Sequence, residues 1–126
     1  MTGIVICHKS LAFDLIDTAN TILGHKEGIY GFSNEKITTE EAVSQLKTLI
    51  QTIGNPENIL FMVDLRGGNC WTIAKILSRS HSGYFVLSGV NLPMIFSFLT
   101  KKDQQGVLDL VHTIEKDAHR GILLEP

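Results

Sequence analysis

Asn58-Ile59-Leu60-Phe61-Met62-Val63-Asp64 sets five consecutive apolar side chains between polar ends. A β-rich run without polar alternation reads as a strand buried on both faces, the situation at the centre of a parallel sheet. Working outward from this segment, the chain alternates between strand and helix. Upstream, Gly3-Ile4-Val5-Ile6-Cys7 is a second short apolar run, and Ile29 to Phe32 is a weaker strand candidate interrupted by Gly31. Downstream, Tyr84 to Leu87 supplies a fourth.

The segments between them carry helical spacing. Leu11, Leu15, Ala19, Ile22 and Leu23 share one face, with Gly24 as a stop. Thr38-Thr39-Glu40-Glu41 has the form of a capping box with Thr38 as N-cap, and Gly54-Asn55-Pro56 ends the helix it starts. A third helix is predicted from Asn69 or Cys70 to about Arg79. Asn91 is placed to cap a fourth, with Pro93 in its first turn, where a missing N–H does no harm. Gln104 to His119 carries Val107, Leu110, Val111, Ile114 and Ala118 on one side, and Gly121 stops it. The pattern predicts an α/β fold with a mostly parallel four-stranded sheet, doubly wound with helices on both faces. Ile122-Leu123-Leu124 is expected to add a short edge strand, either to its own sheet or to a neighbour's in a dimer. One domain spanning residues 1–126 is expected.

Composition narrows the function classes. With 44% hydrophobic residues, the chain of 126 residues can bury a core without disulfide or metal staples. A net charge of −2 with both signs interspersed argues against nucleic acid as a partner. No apolar stretch approaches the roughly 20 residues that span a bilayer, so direct membrane insertion is not expected. The two cysteines, Cys7 and Cys70, form no disulfide framework and no leader-like stretch precedes them. Free thiols in a reducing cytoplasm are expected.

Three strand ends point to one place. His8 follows the first strand, Asp64 the third, and Ser88-Gly89-Val90-Asn91 the fourth. In an open parallel sheet, chemistry gathers beyond the C-terminal strand ends where strand order reverses, and the first and third strands are usual neighbours there. Asp64 could then fix the His8 tautomer, leaving the other ring nitrogen as a nucleophile able to take a phosphoryl group. Gly67-Gly68-Asn69 would bring backbone N–H groups and a helix N-terminus to phosphoryl oxygens, with Arg66 in reach of the same atoms.

Rival chemistries use the same residues. A receiver-type aspartate at Asp64 wants an acidic pair after the first strand, where Cys7-His8-Lys9 stands. A flavodoxin-like mononucleotide site wants a longer Ser- or Thr-rich phosphate loop. A metal site from His8, Asp64, Cys7 and Cys70 is disfavoured because side chains alternate along a strand, so Cys7 and His8 diverge. No metal and no cofactor are expected. His25, His81, His112 and His119 fall in or beside turns and helix ends and read as structural.

The opening strand ending in His8, Val63-Asp64-Leu65-Arg66-Gly67-Gly68 before a helix, and Leu87-Ser88-Gly89-Val90-Asn91-Leu92-Pro93-Met94 resemble the mannose-family enzyme IIA domain of the bacterial sugar phosphotransferase system. The resemblance implies a cytoplasmic phosphotransferase component that accepts a phosphoryl group from the phosphocarrier HPr on His8, supported by Asp64. It would pass the group to a histidine of an enzyme IIB partner, which serves the membrane components IIC and IID. It also implies a homodimer with an exchanged C-terminal strand. Three departures stand out. Cys7-His8-Lys9 replaces the usual Thr-His-Gly, Asn69-Cys70 replaces the usual Ser-Pro, and Lys9 adds a cation beside the acceptor. Asn69 could still cap its helix and donate to an oxyanion. The alternatives of the same fold are a regulatory module that senses phosphorylation and a phosphocarrier of the dihydroxyacetone kinase type. A structural subunit with a vestigial site is a further alternative.

Overall fold

The computed structural model describes residues 1–126. Strands β1 (Thr2–Cys7), β2 (Ile29–Ser33), β3 (Ile59–Val63) and β4 (Tyr84–Ser88) form one four-stranded sheet in the order β2-β1-β3-β4. Every pairing is parallel. Five helices connect and follow them: α1 (Leu11–Leu23), α2 (Thr39–Thr52), α3 (Asn69–Ser78), α4 (Leu92–Lys101) and α5 (Val107–Arg120). The central pair is the one predicted from uninterrupted apolar runs, and all five residues of β3 are fully buried.

Alternation along the strands builds two separate cores. Val5, Cys7, Leu60 and Met62 pack with residues of α1, α4 and α5 on one face, Phe98 and Ile114 among them. Ile4, Ile6, Phe61 and Val63 pack with residues of α2 and α3 on the other, including Leu46, Cys70 and Ile73. The sheet is therefore covered on both sides, as an all-parallel sheet requires.

Local signals were realised where side-chain chemistry enforces them. Thr38 accepts a hydrogen bond from the Glu41 N–H and caps α2. Asn91 caps α4 by accepting from the Met94 N–H at 2.9 Å, and its Nδ2 donates to the Ala118 carbonyl at 3.2 Å, tying α4 to the end of α5. The weak candidate at Ile29–Phe32 is a full strand, and Gly31 interrupts its apolar pattern for a packing reason. A Cβ at Gly31 would lie 2.8 Å from the Phe13 ring of α1.

Two expectations need correction. The last helix begins at Val107, later than Gln104, because Gly106 enters it with φ of 82°. Ile122, Leu123 and Leu124 form no strand within the chain and are 81%, 75% and 94% exposed. Within the chain nothing buries these three side chains, so no contact offsets the entropy of ordering the tail. The outer edge of β4 thus stays unpaired within the chain.

Gly3 lies against the core where no side chain fits. A Cβ there would meet the Phe98 ring at 2.7 Å and the Met62 methyl at 3.1 Å, and Phe98 is fully buried. Gly3→Ala should destabilise the protein by about 1–3 kcal/mol through overpacking, read as a lowered urea midpoint with unchanged m-value.

Candidate active site

The strand register decides which side chains meet. Ile6 pairs with Val63, and Val63 with Ser88, so β1, β3 and β4 end level with one another. Ile4 and Ile6 face α2 and α3, and His8 continues the same alternation past the end of β1. Asp64 lies one residue beyond β3. The two side chains meet with His8 Nδ1 2.6 Å from Asp64 Oδ2.

Asp64 is held on both oxygens. Its Oδ2 also accepts from the His8 backbone N–H at 2.9 Å, and its Oδ1 accepts from the Leu65 N–H at 2.9 Å. Burial works to raise the carboxyl pKa, but the bonds from the His8 ring, the His8 N–H and the Leu65 N–H outweigh it and hold the group below the usual carboxylate range. Asp64 is thus ionised near neutral pH and can only accept. The proton on the short contact therefore belongs to His8 Nδ1, which leaves the lone pair on Nε2. The His8 side chain is 50% exposed whereas Asp64 is 11% exposed, so the imidazole reaches solvent from an anchored base.

The glycine turn differs from its expected form in detail. Gly68 is the N-cap of α3, no side chain caps that helix, and Asn69 is its first helical residue. Asn69 does not act as the cap because its carboxamide is engaged elsewhere. Its oxygen accepts from Asn34 Nδ2 at 3.0 Å and its Nδ2 donates to Thr39 Oγ1 at 2.8 Å. The Gly68 N–H donates to the Leu65 carbonyl at 3.2 Å inside the turn. Of the expected cradle, Gly67 and Asn69 keep N–H groups without an internal acceptor, and the first turn of α3 adds its own orphan donors. Arg66 is exposed, makes no ion pair, and lines an open cavity of about 460 Å³ with Ser88, Asn91, Glu115 and His119.

The flanking cysteines separate across the sheet. Cys7 is buried in the core under α1, α4 and α5, and Cys70 in the core under α2 and α3; both are free thiols. Burial first, then the negative charge of Asp64, pushes each thiol up to about 12. Cys70 Sγ nevertheless reaches within 3.7 Å of His8 Nδ1. The alternation that removes Cys7 from the site places His8 on the face that α3 covers, so the signal for Cys70 was present in the sequence. No comparable signal marks Asn34, just after β2, or Thr39, the first residue of α2. His81 is structural: it stacks on Tyr84 with ring centroids 3.7 Å apart and accepts from the Gly83 N–H.

A parallel sheet ordered β2-β1-β3-β4 with a carboxylate-anchored histidine at its C-terminal rim defines a class, and comparison with known proteins says which. A family model described as the PTS system fructose IIA component matches residues 3–115, and the chain belongs to this mannose-type enzyme IIA family. The mannose-specific EIIAB component of Escherichia coli K12 is 30% identical over 107 residues, covering 81% of this chain. The chain spans about a third of that relative's length, 32%. An EIIA component from Streptococcus agalactiae superposes with a TM-score of 0.87 at 24% identity, covering 98% of this chain and 95% of its own. A mannose/sorbose-specific IIA subunit from Enterococcus faecalis gives 0.84 at 18% identity, covering 99% and 94%. A sigma-54 interaction domain protein from Enterococcus faecalis gives 0.77 at 15% identity over 96% and 92%. The fold therefore occurs in proteins of more than one description, whereas the sequence kinship lies with PTS system components. No helix is long and apolar enough to cross a membrane.

Lys9, directly after His8, has a φ of 50°, in the left-handed region that favours glycine. An L side chain there costs about 1–2 kcal/mol, partly offset by the greater unfolded freedom of glycine. Lys9→Gly should stabilise the protein by about 0.5–1 kcal/mol, and an unchanged or lowered urea midpoint would refute this account of the turn.

Proposed function

We propose that the chain is the phosphoryl-carrying component of a cytoplasmic sugar phosphotransferase system, with His8 as the carrier. The observation that supports this reading is the 2.6 Å contact that fixes Nδ1 on Asp64 and leaves a half-exposed ring with its second nitrogen free. Nε2 attacks the phosphorus of phospho-HPr in line; its lone pair forms the new N–P bond as the donor's N–P bond breaks, and the donor ring, protonated on its other nitrogen, takes back that bond's electron pair and leaves as neutral imidazole. The transition state is loose and needs positioning and charge stabilisation more than covalent help. The His8 ring gains positive charge as the bond forms, and the Asp64 carboxylate lies against that charge. The free N–H groups of Gly67 and Asn69 and the N-terminal turn of α3 are suited to the phosphoryl oxygens, with Arg66 at the rim. The group then passes to a histidine of an enzyme IIB domain, which serves membrane components IIC and IID. No cofactor takes part in either step.

The unpaired edge of β4 and the exposed Ile122–Leu124 tail support a reading of the assembly. In this reading the chain is a homodimer in which the tail of one copy adds a strand to β4 of the other. The apolar tail is then buried in the dimer, and the open sheet edge is satisfied at the same time.

Incubation with phospho-HPr should give one phosphate adduct by intact mass, absent in His8→Ala. Asp64→Asn should keep the fold but slow transfer roughly 100-fold by losing the anionic acceptor. An undiminished adduct on His8→Ala would end the proposal. For the assembly, light scattering should report twice the chain mass for residues 1–126 and a single chain mass after deletion of residues 122–126.

A further inference from the structure

Three potential ligand atoms from three separate segments crowd one point beside the site. His8 Nδ1 lies 3.7 Å from Cys70 Sγ and 2.6 Å from Asp64 Oδ2, and all three ligand atoms fall within 4.8 Å of one another. We propose that His8, Asp64 and Cys70 form a zinc site whose occupation switches off phosphoryl acceptance. The metal site stands on geometry alone; its inhibitory consequence rests on the phosphoryl-carrier reading.

The geometry fits a soft divalent cation. Zinc–nitrogen and zinc–sulfur bonds of 2.0–2.1 and 2.3 Å at a tetrahedral angle put the two ligand atoms about 3.6 Å apart, against the 3.7 Å found between Nδ1 and Sγ. Asp64 Oδ2 has to retreat from Nδ1 by less than about 1 Å to coordinate rather than hydrogen-bond. Its other oxygen stays held by the Leu65 N–H during that shift. Three protein ligands leave the fourth tetrahedral position for water. Imidazole, thiolate and carboxylate together are a donor set that zinc prefers over magnesium or calcium.

Binding rearranges protons in a defined way. Cys70 gives its thiol proton to solvent and ligates as thiolate. Zinc takes the lone-pair position at Nδ1, so the ring proton formerly there moves to Nε2, and the ring stays neutral. The net release is one proton per zinc. Nε2, the nitrogen that the proposed transfer uses, then carries hydrogen and has no lone pair to offer. Zinc and phosphoryl group thus compete through the tautomer of a single ring.

The test is a titration of zinc ion into the full chain against a chromophoric chelator. Wild type should bind one zinc with a Kd of about 10 μM or tighter, and Cys70→Ser and His8→Ala should each weaken binding at least about tenfold. Cys7→Ser, altered in the opposite core, should bind like wild type. Cobalt in place of zinc should give a thiolate charge-transfer band in wild type that Cys70→Ser lacks, a readout that needs no activity. Circular dichroism verifies that each variant is folded. Transfer from isolated phospho-HPr should slow in zinc for wild type but not for Cys70→Ser, each compared with its own zinc-free rate. No zinc bound near that concentration, or wild-type affinity in Cys70→Ser, overturns the site. Zinc bound without slowing transfer overturns the inhibitory role. Zinc bound by a wild type that accepts no phosphate in its absence confirms the metal site and refutes the carrier reading.

Discussion

The contact between Asp64 and the His8 ring is the constraint around which the chemistry of this protein is arranged. It spans 56 positions in sequence and closes because β1 and β3 are parallel neighbours that end level. A lone imidazole at a strand end would exchange its proton between two nitrogens and sample many rotamers. One ionised carboxylate, itself fixed by two backbone N–H groups, removes both freedoms. The central strands are wholly buried so that this rim is rigid, and preorganisation of a charged acceptor is worth most where it does not have to move.

The departures around the acceptor divide into those that cost stability and those that change chemistry. Lys9 occupies a left-handed turn that suits glycine, so its side chain is retained against a backbone preference. Cys7 is fully buried as a small apolar residue, and burial holds its thiol protonated. Cys70 is buried too, but on the face that His8 shares. Two cysteines that look alike in the sequence therefore have unlike surroundings, one packed in a core and one against the imidazole. Asn69 illustrates the same point from the polar side: its carboxamide joins α3 to Asn34 and Thr39 and leaves the helix N-terminus uncapped. A helix start without a side-chain cap beside an imidazole is a costly arrangement in isolation and a useful one when an anion arrives.

Much of the architecture was readable from periodicity. The uninterrupted apolar runs at Ile4–Cys7 and Ile59–Val63 are the central strands, and the caps at Thr38 and Asn91 start the helices they foretold. The pairing of His8 with Asp64 was readable as well, because strand ends and a parallel order place them together. The tail at Ile122–Leu124 adds no strand to its own sheet, since apolar composition alone does not say which edge a segment will meet. The roles of Asn34 and Thr39 were not readable at all, because a side-chain amide carries no periodic signal of where it will bond.

Composition and spacing were sufficient to specify strands, helices, the doubly wound sheet and the two residues that meet at its C-terminal rim, because burial patterns and caps act over a few residues. Which thiol lies beside the imidazole, which amide protons remain free in the Gly67-Gly68 turn, and whether Asn69 caps or bridges depended on contacts between segments distant in the chain. Those contacts are settled by the packing of α2 and α3 on one face of the sheet, where shifts of an ångström separate a hydrogen bond from none.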